Sequence, residues 1–437
     1  MRFLSRVFAV LLALGLAAGA LSSCTRDPDI DDLADFTVII YGNSGGSMDN
    51  LIEKAWEDTR PLIVDRKVRV IVVYKYGQDS DEFAGKYGNP GELVAFELDK
   101  DTNLEEVHNE GAEMKQFSLY DPKNLQIVLD VVKQEAPARD YVLVLYGHGG
   151  GFNPSVDFPK ERYDLSRGVL YDELLDYESM NMYELTTAIE TSQIPHLKGL
   201  FFHNCLMGGM ESMVEVAPYT DYIIATPFML EATNNPLITN LVWQLRKTGD
   251  FEAAARQALS DSQPVLYKGH LAEDQLCNGN VELLKADALD GVCDAAKALS
   301  ARLCALYPSQ REAIDKATGM VYQFNSRYSY YDLLDYARQA ANETGDAQLQ
   351  AIQTQMATAF DRAILHQITI DTEALPALPA YSLSVVLVDS ERYHKQSAMG
   401  SFTINRSYEL TDFHIKTGWG KWLDTNLCAP RNNPHGQ

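Results

Sequence analysis

Two short blocks of the chain end in residue types able to do covalent chemistry. YVLVLYGHGGG, from Tyr141, carries an apolar run into His148, boxed by Gly147, Gly149 and Gly150. GLFFHNCLMGG, from Gly199, carries a similar run into Cys205. A thiolate is the reactive form of cysteine, and its pKa falls beside an imidazole or at a helix N-terminus. MGGMESMVEVAP, after Cys205, reads as the first turns of a helix, so Cys205 is expected to have both neighbours. The glycines permit close backbone approach. The amide of Gly149 beside that of Cys205 is then a candidate oxyanion hole.

The elements that position these residues follow from the same blocks. Both apolar runs are short, bounded, and rich in Val, Leu and Phe, which predicts buried strands of a parallel sheet. Ligands of open α/β sheets bind beyond the carboxyl ends of strands, and both His148 and Cys205 fall there. Taken singly, a free Cys usually packs as a small hydrophobe, and a His between glycines usually serves a turn. Two strand ends with the His first, 57 residues before the Cys, point instead to a catalytic dyad; a separation of about 50 is the caspase-type spacing. His203 stands two residues before Cys205, on the same face of its strand, and with Asn204 it is expected in the wall of the substrate pocket.

YGHGGG and NCLMGGMESMVEVA resemble the clostripain family of caspase-like cysteine peptidases. TVIIYGNSGGSMDNLIE, GVLYDE with MNMYELTTAIE, YYDLLDYARQ and SYELTDFHIKTGWGKWL resemble further family blocks. The resemblance implies a caspase-like three-layer α/β/α sandwich with a mostly parallel sheet, a His/Cys dyad and polypeptide substrates. Ca²⁺ dependence occurs in some family members, although the chemistry itself needs no cofactor. Family members usually place an acidic residue two positions before the nucleophile, where it receives a basic P1 side chain. His203 occupies that position here, so the P1 preference is left open. A loop from about 152 to 167 lies where family members cut themselves, with Lys160, Arg162 and Arg167 as basic residues.

The N-terminus reads as an export signal. Arg2 and Arg6 precede VFAVLLALGLAAGAL, which has signal-peptide length and is short for a membrane span. LSSC resembles a lipobox, with cleavage after residue 23 and lipidation of Cys24; the alternative is a plain secretory signal. The expected order is therefore signal peptide 1–23, lipidated Cys24 and acidic tether 24–35, catalytic domain 36–245, and helix-rich C-terminal region 246–437. An outer-membrane or cell-surface lipoprotein is expected, held by its N-terminal lipid, and monomeric.

A formal net charge of −24 sets the protein against polyanionic partners and excludes nucleic acid as an electrostatic ligand. Five cysteines follow Cys24 (Cys205, Cys277, Cys293, Cys304 and Cys428), an odd number that leaves a thiol free in an exported protein. NSGGS at Asn43–Ser47 lacks the Lys of a phosphate loop and reads as a cleft loop or turn. Asp172, Glu173 and Asp176 lack EF-hand spacing and read as a solvated acidic loop. Asp332 reads as a helix cap. A second function class remains: a surface lipoprotein that keeps the peptidase fold and binds peptides without cutting them.

Overall fold

The computed structural model describes residues 33–43, 48–77, 91–110, 112–113, 117–152, 168–172, 178–228, 230, 236–270, 279–325, 329–370, 382–394 and 406–428. The signal segment, Cys24, residues 44–47, the basic residues of the long loop, Glu173, Asp176 and Cys277 lie outside them. The chain forms two compact units that interleave along the sequence. The first takes Met1–His148, Val169–Asn204 and Glu231–Asp274; the second takes Gly149–Gly168, Cys205–Leu230 and Gln275–Gln437. The sequence reading drew one linear boundary, after residue 245.

The first unit is built on strands β1 (Ala34–Asn43), β2 (Val68–Lys75), β3 (Glu92–Leu98), β4 (Ala112–Glu113) and β5 (Ala138–Tyr146), a small pair β6 (Val169–Asp172) and β7 (Glu178–Met180), and β8 (Leu197–His203). Their order is β8-β5-β1-β2-β3-β4. β8, β5, β1 and β2 run parallel, and β3 and β4 continue antiparallel. Val38, Ile39, Ile40 and Tyr41 are all 0% exposed. Successive strand residues point to opposite faces, so consecutive burial means that both faces are covered. The cover is helical. β1 crosses to β2 through the helix Met48–Thr59, and β5 crosses to β8, in the opposite direction along the sheet, by way of Met182–Thr191. Right-handed crossovers in opposite directions put their helices on opposite faces, which gives three layers. Pro122–Glu135 packs on Met182–Thr191, and Leu237–Thr248 on Met48–Thr59. Asp121 caps its helix, accepting from the Lys123 amide with Pro122 in the first turn.

The second unit contains β9 (Thr220–Ala225), β10 (Gly279–Lys285), β11 (Gln323–Asn325), β12 (Tyr330–Asp332), β13 (Ile364–Ile370) and β14 (Ser384–Val386). β10 lies antiparallel between β9 and β13, and β12 antiparallel between β11 and β14. The helix Leu289–Met320 packs on Leu333–Thr344 and Ala347–Ala363. Its apolar stripe of Leu289, Val292, Ala296, Leu299, Leu303 and Leu306 is buried. The helix breaks at Gln310, just after Pro308. Asp332 caps Leu333–Thr344 by accepting from the Asp335 amide, and also holds the Ser382 amide and hydroxyl. The helix Ala347–Ala363 ends where β13 begins.

Candidate active site

β5 and β8 are parallel neighbours, with Tyr146 opposite His203. His148 follows the end of β5 by two residues, and Cys205 follows the end of β8 by two. Gly147 has φ 146, a conformation that costs glycine little, and it turns the chain out of β5. The His148 carbonyl accepts from the Leu170 amide at 3.1 Å, and Leu170 itself has a strained φ of 61. Asn204, 1% exposed, donates from Nδ2 to the Gly147 carbonyl at 2.8 Å and the His148 carbonyl at 3.2 Å. The His148 ring is half-buried, and that burial pushes its pKa below the usual imidazole value.

His203, expected in a pocket wall, is 4% exposed and stacks on Tyr146 with centroids 4.9 Å apart and planes at 27°. Phe201 lies against its other surroundings at 5.4 Å. This imidazole is therefore part of an aromatic stack, and residue 203 supplies no carboxylate.

In the second unit the Cys205 sulfur is half-buried and lies 3.5 Å from the Leu230 carbonyl oxygen. Burial pushes the thiol above its ordinary value. The next residue, Leu206, has φ 63, a strained conformation for a branched side chain, and its amide donates to the Phe228 carbonyl at 2.7 Å. Gly208 donates to Thr226 in the same way at 2.7 Å, so the turn after Cys205 runs along the chain that leaves β9. The helix that follows is Met210–Val216, with Gly209 as its N-cap. It starts later than the sequence suggested, because Gly208 and Gly209 spend their backbone groups on Thr226, Ser384 and Met207. Cys205 thus lies four residues before the N-cap Gly209.

The loop that begins at Gly149 is held from the β11–β12 side of the second unit. The Tyr330 hydroxyl lies 2.7 Å from the Gly150 carbonyl and 2.8 Å from that of Phe152. Glu211, on the helix after Cys205, accepts from the Tyr408 hydroxyl at 2.7 Å and the Val386 amide at 3.0 Å. Sequence reasoning singled out the blocks that contain Tyr330 and Tyr408 but gave these residues no role; the tyrosines of YYDLLDYARQ and SYELTDFHIKTGWGKWL were the available signal.

Among the described residues, no group of three or more His, Cys, Asp and Glu side chains is arranged to hold a metal ion. Cys205, Cys293, Cys304 and Cys428 are free thiols. No helix among those residues is long and apolar enough to cross a membrane.

Residues 43–403 match the sequence profile of the clostripain family. The chain belongs to that family. It is accordingly a cysteine-type peptidase, and its substrates are polypeptides. Its fold is the caspase-like one of the C11 protease structures it resembles. A secreted C11 cysteine protease from Bacteroides thetaiotaomicron, solved with an irreversible peptide inhibitor, is 14% identical with a TM-score of 0.61, the match covering 88% of this chain and 99% of that one. An inactive zymogen C11 protease from Parabacteroides distasonis is 16% identical with a TM-score of 0.55, covering 88% and 98%. No curated protein matches the chain.

Proposed function

We propose that the chain is an endopeptidase of the bacterial cell envelope that cuts peptide bonds with His148 and Cys205. The observation that carries this reading is the parallel register of β5 and β8, which sets Tyr146 opposite His203, each two residues before one member of the pair. Burial raises the thiol and lowers the imidazole, which favours the uncharged form of each. Attack then begins as general-base catalysis. His148 takes the thiol proton as sulfur bonds to the scissile carbonyl carbon, and the carbonyl oxygen becomes an oxyanion held by the amides of Gly149 and Cys205. The C–N bond breaks as the imidazolium gives its proton to the leaving amine. Water, deprotonated by His148, then cleaves the thioester and restores the thiol.

The envelope location rests on the N-terminal block ending at Cys24, which provides a signal segment and a lipidation site, and on the secreted nature of the Bacteroides relative. With His203 packed in an aromatic stack, P1 selection by a carboxylate at that position is absent. A fluorogenic peptide panel varied at P1 tests the reading. Turnover of at least one member, abolished by Cys205→Ala, supports it; turnover that survives Cys205→Ala overturns it.

A further inference from the structure

The residue before the nucleophile is an asparagine whose side chain turns back toward the end of β5. Its Nδ2 carries two hydrogens and lies within bonding distance of two carbonyl oxygens, Gly147 at 2.8 Å and His148 at 3.2 Å. Those carbonyls belong to the two peptide planes that flank the His148 Cα. A peptide unit is rigid and planar, so fixing its C=O fixes the N–H on its far side. With both planes fixed, φ and ψ of His148 are fixed, and so is the direction in which its ring leaves the backbone. The second plane carries a further group: the N–H trans to the His148 carbonyl is that of Gly149. No cis peptide bond occurs among the described residues. The Leu170 amide, donating to the same carbonyl at 3.1 Å, gives that plane a second hold.

Asn204 also contributes its own carbonyl carbon to the peptide bond that carries the Cys205 N–H. One residue therefore touches both amides assigned to the oxyanion hole, one through its backbone and one through its side chain. The chemistry is selective for an amide. Aspartate has no hydrogen to give and would set negative charge against two carbonyl oxygens; serine has one hydrogen on a shorter arm; alanine has none. The opposite amide orientation would put Oδ1 against the same two oxygens, so the assignment of Nδ2 follows from its partners. Oδ1 itself is buried and finds no donor among the described residues.

We propose that Asn204 is a positioning residue of the peptidase: its side-chain amide sets the direction of the Gly149 N–H. The proposal rests on the assignment of His148, Cys205 and the Gly149 amide made above. It replaces the expectation of a pocket-wall role for Asn204 with a role in transition-state binding. Loss of a single oxyanion donor costs about 10²- to 10³-fold in kcat, and a misplacement of about 1 Å costs about 10²-fold.

The test uses the whole mature chain with Asn204→Asp, which keeps the shape and removes both hydrogens, and Asn204→Ala, which removes the side chain. Three quantities are read for each: kcat and KM on a cleaved peptide, affinity for the matching peptide aldehyde, and the rate of alkylation of Cys205 by iodoacetamide, located by peptide mapping. The aldehyde forms a tetrahedral adduct that needs the oxyanion hole, whereas alkylation of the thiol develops no oxyanion. The expected result is a fall in kcat of about 10²-fold with KM within about threefold, and aldehyde affinity falling with kcat. Alkylation stays within about threefold, and the thermal midpoint of Asn204→Ala shifts by no more than a few degrees. Asn204→Ala with kcat within about threefold of wild type overturns the proposal, as does an alkylation rate that falls in step with kcat. Failure of the underlying assignment shows separately: alkylation of Cys205 then leaves wild-type turnover intact, and this proposal falls with it.

Discussion

Replacing Glu211 with glutamine isolates one buried carboxyl group in the pH dependence of stability. Glu211 is 1% exposed, and its burial pushes the pKa from 4.5 up to about 7, against the opposing effect of the Tyr408 hydroxyl and Val386 amide that donate to it. Below about pH 4.5 the group is protonated in both the folded and the unfolded chain, and it contributes no pH dependence. Between about 4.5 and 7 the unfolded chain has released the proton while the folded chain keeps it. The folded state then binds more protons, so stability falls as pH rises, and the fall is complete above about 7. A shift from 4.5 to about 7 corresponds to a loss on the order of 3 kcal/mol across that window. Glutamine removes the titration and keeps an oxygen to accept from Tyr408 and Val386. Glu215, also raised to about 7, is present in both proteins and cancels from the difference. Urea denaturation of both proteins between pH 4 and 8.5 should show Glu211→Gln gaining on wild type by about 3 kcal/mol from the acid to the alkaline end. A difference that stays flat with pH would refute the reasoning.

Tyr330→Phe removes the hydroxyl that reaches the Gly150 and Phe152 carbonyls and should cost about 1–3 kcal/mol in denaturant unfolding; no loss would mean that the two bonds do not hold the loop. At Gly151, with φ +74, an added Cβ would lie 2.6 Å from the Tyr330 hydroxyl oxygen and 2.7 Å from the Leu206 carbonyl oxygen. Gly151→Ala should therefore destabilise by more than Tyr330→Phe, and an equal or smaller effect contradicts the packing described. At Gly199 a Cβ would lie 2.2 Å from the Phe251 ring, so Gly199→Ala should cost about 1–3 kcal/mol, partly recovered in Gly199→Ala/Phe251→Leu; an unrecovered loss would place the strain elsewhere.

How much of this was legible in sequence depends on the range of the interactions. The central parallel strands were readable because two-sided burial demands continuous apolar runs, as in Val142–Leu145 and Leu200–Phe202, all buried. The dyad candidates followed from those strand ends. β10 and β13 were not readable: Asn280 and Glu282 interrupt the one and Gln367 the other, and their polarity makes sense only once Glu282 accepts from Asn280 on its own strand and from Gln367 across the strand pair. The start of the helix after Cys205 was misplaced because Gly208 and Gly209 are committed to Thr226, Ser384 and Met207, two of them distant in sequence. Asn204, Tyr330 and Glu211 lay in blocks the sequence singled out, but their partners were not readable there, since each acts on backbone or side chains 56 to 197 residues away.

The central claim is that Cys205 is the nucleophile and His148 its base, and a peptide carrying a thiol-directed electrophile tests both at once. Mass mapping should find the adduct on Cys205 of the wild type and none on Cys205→Ala. His148→Ala should form the same adduct at least about 10²-fold more slowly while remaining folded. An adduct on a different cysteine, or equal labelling rates with and without His148, would contradict the account.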